Sequence, residues 1–336
     1  MNGQTSARLF VRPALVAVAL LLGGCAWDGP MSTVAGRSDF AREILHVYGI
    51  ITWVAAIIAL LVFVVLAWVL LRFRDRPGAP LPPQTRGHTL LELSWTIAPA
   101  FVLLVIAIPT IQVIFRTQAA PAPGALEVLV RGRQWWWEFR YPALDVVTAN
   151  ELHLPAGRQV ALSLEGPDVI HSFWVPQLGG KRDVVPHRIN HITLTPEVAG
   201  DYPGQCAEYC GISHANMRFR VIVHEPAEFE KWVKAQQAPP VESTDALAQQ
   251  GKSIFTSSTC VGCHTIAGVS AGHIGPDLTH FASRKRFAGS LMESTPDNLT
   301  KWIENPDHMK PGALMPNLGM TGEQSKALAA YLLSLK

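Results

Sequence analysis

Cys206-Ala-Glu-Tyr-Cys-Gly-Ile-Ser-His-Ala-Asn-Met217 sets two cysteines four residues apart, a histidine four further on and a methionine three beyond that. Thiolate, imidazole and thioether donors so close together read as a metal site on a loop. Structural zinc takes four ligands of the Cys and His type, and Cys206, Cys210 and His214 give three, so one more histidine completes such a site. Zinc has no use for Met217, whereas thioether with thiolate and imidazole marks copper electron-transfer sites. Ordinary blue copper uses a single cysteine. Two thiolates at this spacing can bridge two copper ions and spread one electron over both. A Cys206–Cys210 disulfide is the remaining reading of the pair.

The missing histidine has to come from another loop, and His153, His171, His187, His191 and His224 are the candidates. His171 lies in Asp168-Val-Ile-His-Ser-Phe-Trp-Val-Pro176, an apolar segment ending in proline that can turn it inward. The other four read as surface or structural histidines. Around both segments, short runs (LEVLVRG, QWWWEFRY, ELHLPAG, VALSLEG, RINHITLT, MRFRVIVHE) are broken by Gly, Pro, Asn and Asp between Leu126 and about Val223. That punctuation predicts an antiparallel β sandwich or barrel.

Downstream the pattern turns helical, over 245–255 and 321–335, each with a Ser, Thr or Asp start. Between them Cys260-Val-Gly-Cys-His264 matches the attachment motif of c-type haem. Two thiols one helical turn apart add to the two porphyrin vinyl groups, and His264 comes to lie beneath the iron. A sixth ligand is needed, and methionine raises the potential. Met315, in the stiff loop Lys310-Pro-Gly-Ala-Leu-Met-Pro316, is the expected one, with Met320 the alternative and Met292 and Met309 read as packing or surface residues.

Hydrophobic residues make up 49% of the 336, charged residues only 16%, which suggests membrane segments. Ile50–Leu71 and Trp95–Phe115 carry no charge over 22 and 21 residues, enough for two transmembrane helices. Arg72, Arg74, Arg76 and Arg86 in the loop between them place that loop on the cytoplasmic side and the rest of the chain outside. A net charge of +2 gives no reason to expect nucleic acid. The first 25 residues read as a secretory signal whose Leu22-Gly-Gly-Cys25 ending resembles a lipobox, which would make Cys25 a lipidated N-terminus.

DVIHSFWVP together with CAEYCGISHANM resembles subunit II of haem–copper cytochrome c oxidases, in the branch with a fused cytochrome c. Leu91-Glu-Leu-Ser-Trp-Thr-Ile-Ala-Pro99 is similar to the start of that family's second helix, and Gly275-Pro-Asp-Leu278 with the Met315 loop is similar to class I cytochromes c. The implied fold is a multidomain membrane protein: a two-helix transmembrane hairpin, an all-β cupredoxin-like domain and an all-α class I cytochrome c domain. The expected segments are a signal with lipobox (1–25), the hairpin (46–116), the CuA domain (125–235), a linker (236–244) and the haem domain (245–336). The resemblance implies that binuclear CuA is held by His171, Cys206, Cys210, His214, Met217 and the backbone carbonyl of Glu208. It further implies that the Glu208 carboxylate helps bind Mg at the subunit I boundary, that Pro276 O accepts from His264, and that electrons enter through an outward Trp135 with Trp137 nearer the copper. Trp136 stands where the family has tyrosine, and His187 where it commonly has glycine. The implied partners are subunits I and III, with cytochrome c or quinol:cytochrome c reductase as donor, and the implied place is the bacterial inner membrane with its head periplasmic. A CuA-bearing nitric oxide reductase subunit is the alternative. A copper-delivery lipoprotein sits poorly with the haem motif, and a quinol oxidase subunit sits poorly with intact copper ligands.

Overall fold

The computed structural model describes residues 28–336 apart from 79, 81, 82, 85 and 242. The signal segment and Cys25 lie outside the described residues. Helices α1 (Asp39–Arg72) and α2 (Thr89–Thr117) form an antiparallel hairpin, tied at the head end by Arg116 and Glu43 at 3.2 Å. Their apolar windows have mean hydropathies of 3.2 and 2.4, and among the described residues none buries them. An apolar surface that wide is stable only in lipid. Pro99 and Pro109 sit inside α2, as membrane helices tolerate.

α1 starts well before its apolar run, because its first turns are not membrane but head contact. Ser38 caps it, its Oγ accepting from Ala41 N at 3.0 Å and donating to Leu178 O at 2.6 Å. Thr195 N donates to Asp39 Oδ1 at 2.6 Å, and Phe40 packs on the β domain's core.

That domain is a sandwich of ten strands: β1 Leu126–Arg133, β2 Trp136–Tyr141, β3 Val146–Ala149, β4 Glu151–Pro155, β5 Val160–Glu165, β6 His171–Trp174, β7 Arg182–Val184, β8 Asn190–Leu194, β9 Gly200–Cys206 and β10 Arg218–His224. The sheets run β3-β2-β1-β5-β8 and β4-β10-β9-β6-β7. Alternating burial along β1 and β5 points one face of each inward, where Trp137, Phe139, Tyr141, Leu152 and Phe219 are fully enclosed. The pairing is not purely antiparallel: β1–β5 and β4–β10 are parallel. The cause is a corner at Asn150 (φ 61), where the chain passes from β3 in one sheet to β4 in the other. Asn150 N donates to Trp137 O at 2.8 Å and its Oδ1 accepts from Trp137 N at 3.0 Å, fixing that corner. Strands β3, β6, β7 and β9 are too short or too irregular in pattern to have been read from sequence. The same holds for α3 (Pro226–Gln237), which buries Phe229 and Val233 on the sandwich.

The C-terminal domain carries α4 (Ala246–Ser257), the single turn α5 (Cys260–Cys263), α6 (Pro296–Glu304), α7 (Pro306–Met309) and α8 (Gly322–Leu332). Asp245 caps α4 and a Thr321/Gln324 capping box starts α8. α4 crosses α8 at Gly251, where a Cβ would stand 2.0 Å from Ala327 O, so only glycine permits the crossing. Two two-residue ladders, Thr265–Ile266 with Ser270–Ala271 and Arg286–Phe287 with Met292–Glu293, pin its long loops.

Candidate metal centres

Sheet register assembles the first site. β9 and β10 pair so that Gln205 opposes Arg218, and Cys206 N donates to Met217 O at 3.0 Å, closing the 206–217 loop at both ends. β6 pairs with β9, setting Phe173 opposite Cys206 and bringing His171 alongside. The donors converge: Cys206 Sγ lies 3.8 Å from Cys210 Sγ and 3.9 Å from His171 Nδ1. Cys210 Sγ is 3.6 Å from His214 Nδ1 and 3.8 Å from Met217 Sδ. Glu208 O stands 3.2 Å from Cys206 Sγ, while its side chain is exposed. A sulfur–sulfur distance of 3.8 Å is far from the ~2.05 Å of a disulfide.

The hydrogen bond from Cys210 holds Cys206 well below the usual thiol range, helped by His171 and the backbone at Glu208 and Ser172, against burial. The same bond, with burial, pushes Cys210 up. Two thiols this close release one proton readily, and the second leaves only when positive charge sits between them. That donor set fits copper: soft, buried and needing a cation. Asp168, absent from the sequence reading although it begins the quoted segment, lies 2.8 Å from His171 Nε2 and so turns Nδ1 toward the cysteines. An Asp three residues before a ligand histidine is the signal that could have found it. Trp137 packs edge-on to His171 with ring centroids 6.1 Å apart.

The second site is a cavity of about 380 Å³. Cys263, His264 and Met315 line it, Cys260 packs on the neighbouring core, and His264 Nδ1 is 2.8 Å from Pro276 O. Met320 packs into the small domain's core instead. The void, apolar over most of its wall (Leu278, Phe281, Leu299, Trp302), and the thiols and histidine at its side suit a covalently attached haem.

Arg133, Gln134, Trp135 and Trp136 from the β domain close one wall of this cavity. Trp135 was expected to point outward; it is 8% exposed, because the 310–313 stretch of the haem domain lies over it. Its Nε1–H donates to Cys210 O at 2.9 Å, and Gln134 Nε2 donates to the same oxygen at 2.7 Å. Trp136 packs near Arg133, 5.8 Å from guanidinium to ring. His187 has φ 62, the left-handed region that favours glycine. His153 and His224 form a stacked pair with Trp232, away from the cysteines, and His191 meets Ser163.

Comparison with known proteins agrees with this layout. Residues 31–113 match the cytochrome c oxidase subunit II transmembrane domain, 143–224 its periplasmic domain, and 248–336 cytochrome c. Cytochrome c oxidase subunit 2 of Alkalihalophilus pseudofirmus is 36% identical over 326 residues, 95% of each chain. Its namesake from Bacillus sp. strain PS3 is 37% identical over 286 residues, 79% of this chain and 80% of that one. Quinol oxidase subunit 2 of Bacillus cereus is 29% identical over 240 residues, 69% of this chain and 81% of that one. The chain belongs to the cytochrome c oxidase subunit II family, in a form that carries a cytochrome c domain on the same polypeptide.

Proposed function

We propose that this subunit feeds electrons to an aerobic terminal oxidase. They arrive from cytochrome c, or from a quinol:cytochrome c reductase, at haem c and pass through CuA to subunit I, where oxygen becomes water and protons are pumped. The observation that carries the reading is Trp135, which walls the haem cavity and donates to the carbonyl of the copper-loop residue Cys210 at 2.9 Å. One side chain thus spans the two sites.

In this reading Cys260 and Cys263 would hold the haem through their sulfurs, His264 and Met315 would ligate its iron, and Pro276 O, 2.8 Å from His264 Nδ1, fixes the histidine ring. His171, Cys206, Cys210, His214, Met217 and Glu208 O hold the copper pair. Such groups, when bound, supply one-electron carriers that need little rearrangement. The chain's own work is to keep the ligands in place on oxidation and reduction, and burial with Asp168 behind His171 does that. The exposed Glu208 carboxylate is free to meet Mg at the subunit I boundary, with subunit III completing the complex. The head lies on the periplasmic side of a bacterial inner membrane, with Cys25 acylated. Intact copper ligands favour a cytochrome c donor over quinol.

Metal analysis, electron paramagnetic resonance and gas uptake on the purified complex test this. One haem and two coppers per chain, an electron shared over both coppers, and oxygen consumption are expected. A single copper, or zinc, refutes the site; nitric oxide reduction without oxygen uptake moves the chain to the alternative enzyme.

A further inference from the structure

The haem domain is not loosely tethered in this structure. It is fastened to the copper domain by two buried charged side chains of opposite sign. Lys310, on the loop that carries Met315, is 4% exposed, and its Nζ donates to Trp135 O across the domain boundary and to Ala288 O at 3.2 Å within its own domain. Glu151, on β4, is 2% exposed, and its Oε1 accepts from the backbone N–H of Lys285 at 3.0 Å and of Arg286 at 3.3 Å. Each domain thus sends one charge into the other's backbone.

We infer that Lys310 and Glu151 form a two-point clasp that seats the haem domain on Trp135, with Lys310 as the positioning residue for electron input to the copper loop. The inference rests on the electron-input function proposed above. Burying a charge is costly unless hydrogen bonds replace its water, and both groups find theirs at the boundary. Burial pulls the Lys310 ammonium down from its ordinary value, and its two carbonyl acceptors offset that burial. The contacts between the two points are backbone-close. Ser213 Oγ donates to Pro311 O, Ser290 Oγ to Asn150 O at 3.4 Å, and Gly312 (φ +80) lays its backbone so near the indole that a Cβ would stand 3.3 Å from Trp135 Cη2. A short linker keeps the effective concentration of the domain at about millimolar or above, so a few such contacts hold it closed. One consequence concerns the donor: the Trp135 face is occupied by the chain's own haem domain, so a separate protein donor delivers to the haem and not to that tryptophan.

The test uses the full-length complex with both centres loaded, as wild type, Lys310→Met, Glu151→Gln and the double variant. Amide hydrogen exchange across 285–290 and 310–316 reads docking independently of electron flow. It should speed up in each single variant and most in the double. Flash reduction of the haem then times electron arrival at copper. In wild type the rate should be insensitive to solvent viscosity; in Lys310→Met it should fall severalfold and become viscosity-dependent, because redocking of the haem domain then gates it. Lys310→Arg, which keeps the charge, should recover part of the loss. Unchanged exchange and an unchanged, viscosity-independent rate with both spectra intact overturn the clasp. A wild type lacking the haem or copper spectrum instead overturns the function reading. Should Lys310→Met lose its haem, Glu151→Gln, whose side chain touches neither ligand set, decides by the same two readouts.

Discussion

The copper loop and the haem cavity are built in opposite ways. At the first, the donor atoms already touch: sulfur, nitrogen and carbonyl lie 3.2–3.9 Å apart, inside a hairpin whose ends are locked by sheet register. At the second, short helices and the β domain's 133–136 stretch surround a void of about 380 Å³. Beneath the copper loop is a continuous aromatic core (Trp137, Phe139, Phe173, Phe219) that owes nothing to metal. The haem domain's core residues form a shell around the void. One fold prepares a site for its metal; the other is completed by its cofactor.

The sharpest way to break that contrast is to remove each cofactor in turn. Cys263→Ala, which loses a thioether attachment, should leave the haem domain close to unfolded when haem is not retained. Without haem the apolar walls of that cavity, among them Leu278, Phe281, Leu299 and Trp302, lose their packing partner and face water. Cys210→Ser should abolish binuclear copper yet leave the sandwich folded. Limited proteolysis and hydrogen exchange on both variants decide: a haem domain still protected without haem, or a sandwich that opens without copper, would erase the distinction.

The same contrast explains what could be read in advance. Five of the proposed contributors to the copper site fall in one stretch of sequence, since a hairpin loop gathers neighbours. His171 needed a partner strand, and its place is set by β6–β9 register rather than by spacing. Cys260, Cys263 and His264 stood out because their interval is that of the c-type haem attachment motif. The hairpin was legible because lipid demands long uncharged runs, but the head-bound first turns of α1 were not, since polar turns look alike whether free or docked. Least visible were Glu151, Lys310 and the burial of Trp135. A lone lysine or glutamate carries no periodic signal, and its meaning comes only from a domain boundary joining residues far apart in the chain.

A smaller effect sharpens the view that the copper loop is held from behind. Asp168 Oδ1 accepts at 2.8 Å from the His171 nitrogen that faces away from the cysteines, and Gln134 N donates to its other oxygen at 2.7 Å. Asp168→Asn keeps the shape but removes the charge that makes the imidazole a strong donor. Copper affinity should fall by about 10–100-fold, the usual loss for an outer carboxylate partner, with the sandwich's melting temperature in the copper-free state little changed. Competition titration with a chelator measures the first and calorimetry the second. Equal affinity would mean that the strand alone orients His171.

The mildest prediction concerns acid, and it separates the sandwich's own stability from its metal. His153 Nδ1 and His224 Nε2 meet at 2.8 Å, both rings stack with Trp232, and Glu151, Glu228, Arg284 and Lys285 surround them. Burial lowers His153, with Glu151 opposing, and burial and then His153 itself hold His224 down to about 4. Because the folded state favours the neutral rings, the folded protein binds fewer protons than the unfolded chain between about pH 4 and the ordinary histidine value of ~6.5. The pair's contribution is therefore complete above ~6.5 and is lost as pH falls through that window toward about 4. One added proton places a cation against the other ring and Trp232; a second places two cations together. Half-exposed His224 lets water screen part of this, so the sandwich's melting temperature should drop by only about 4 °C from pH 7 to 4.5, beyond what carboxylates cause. His224→Gln, unable to take up the proton, should flatten that extra slope while leaving the copper spectrum at pH 7 unaltered. If wild type and variant melt in parallel across the range, the acid sensitivity lies elsewhere and the histidine stack is only packing.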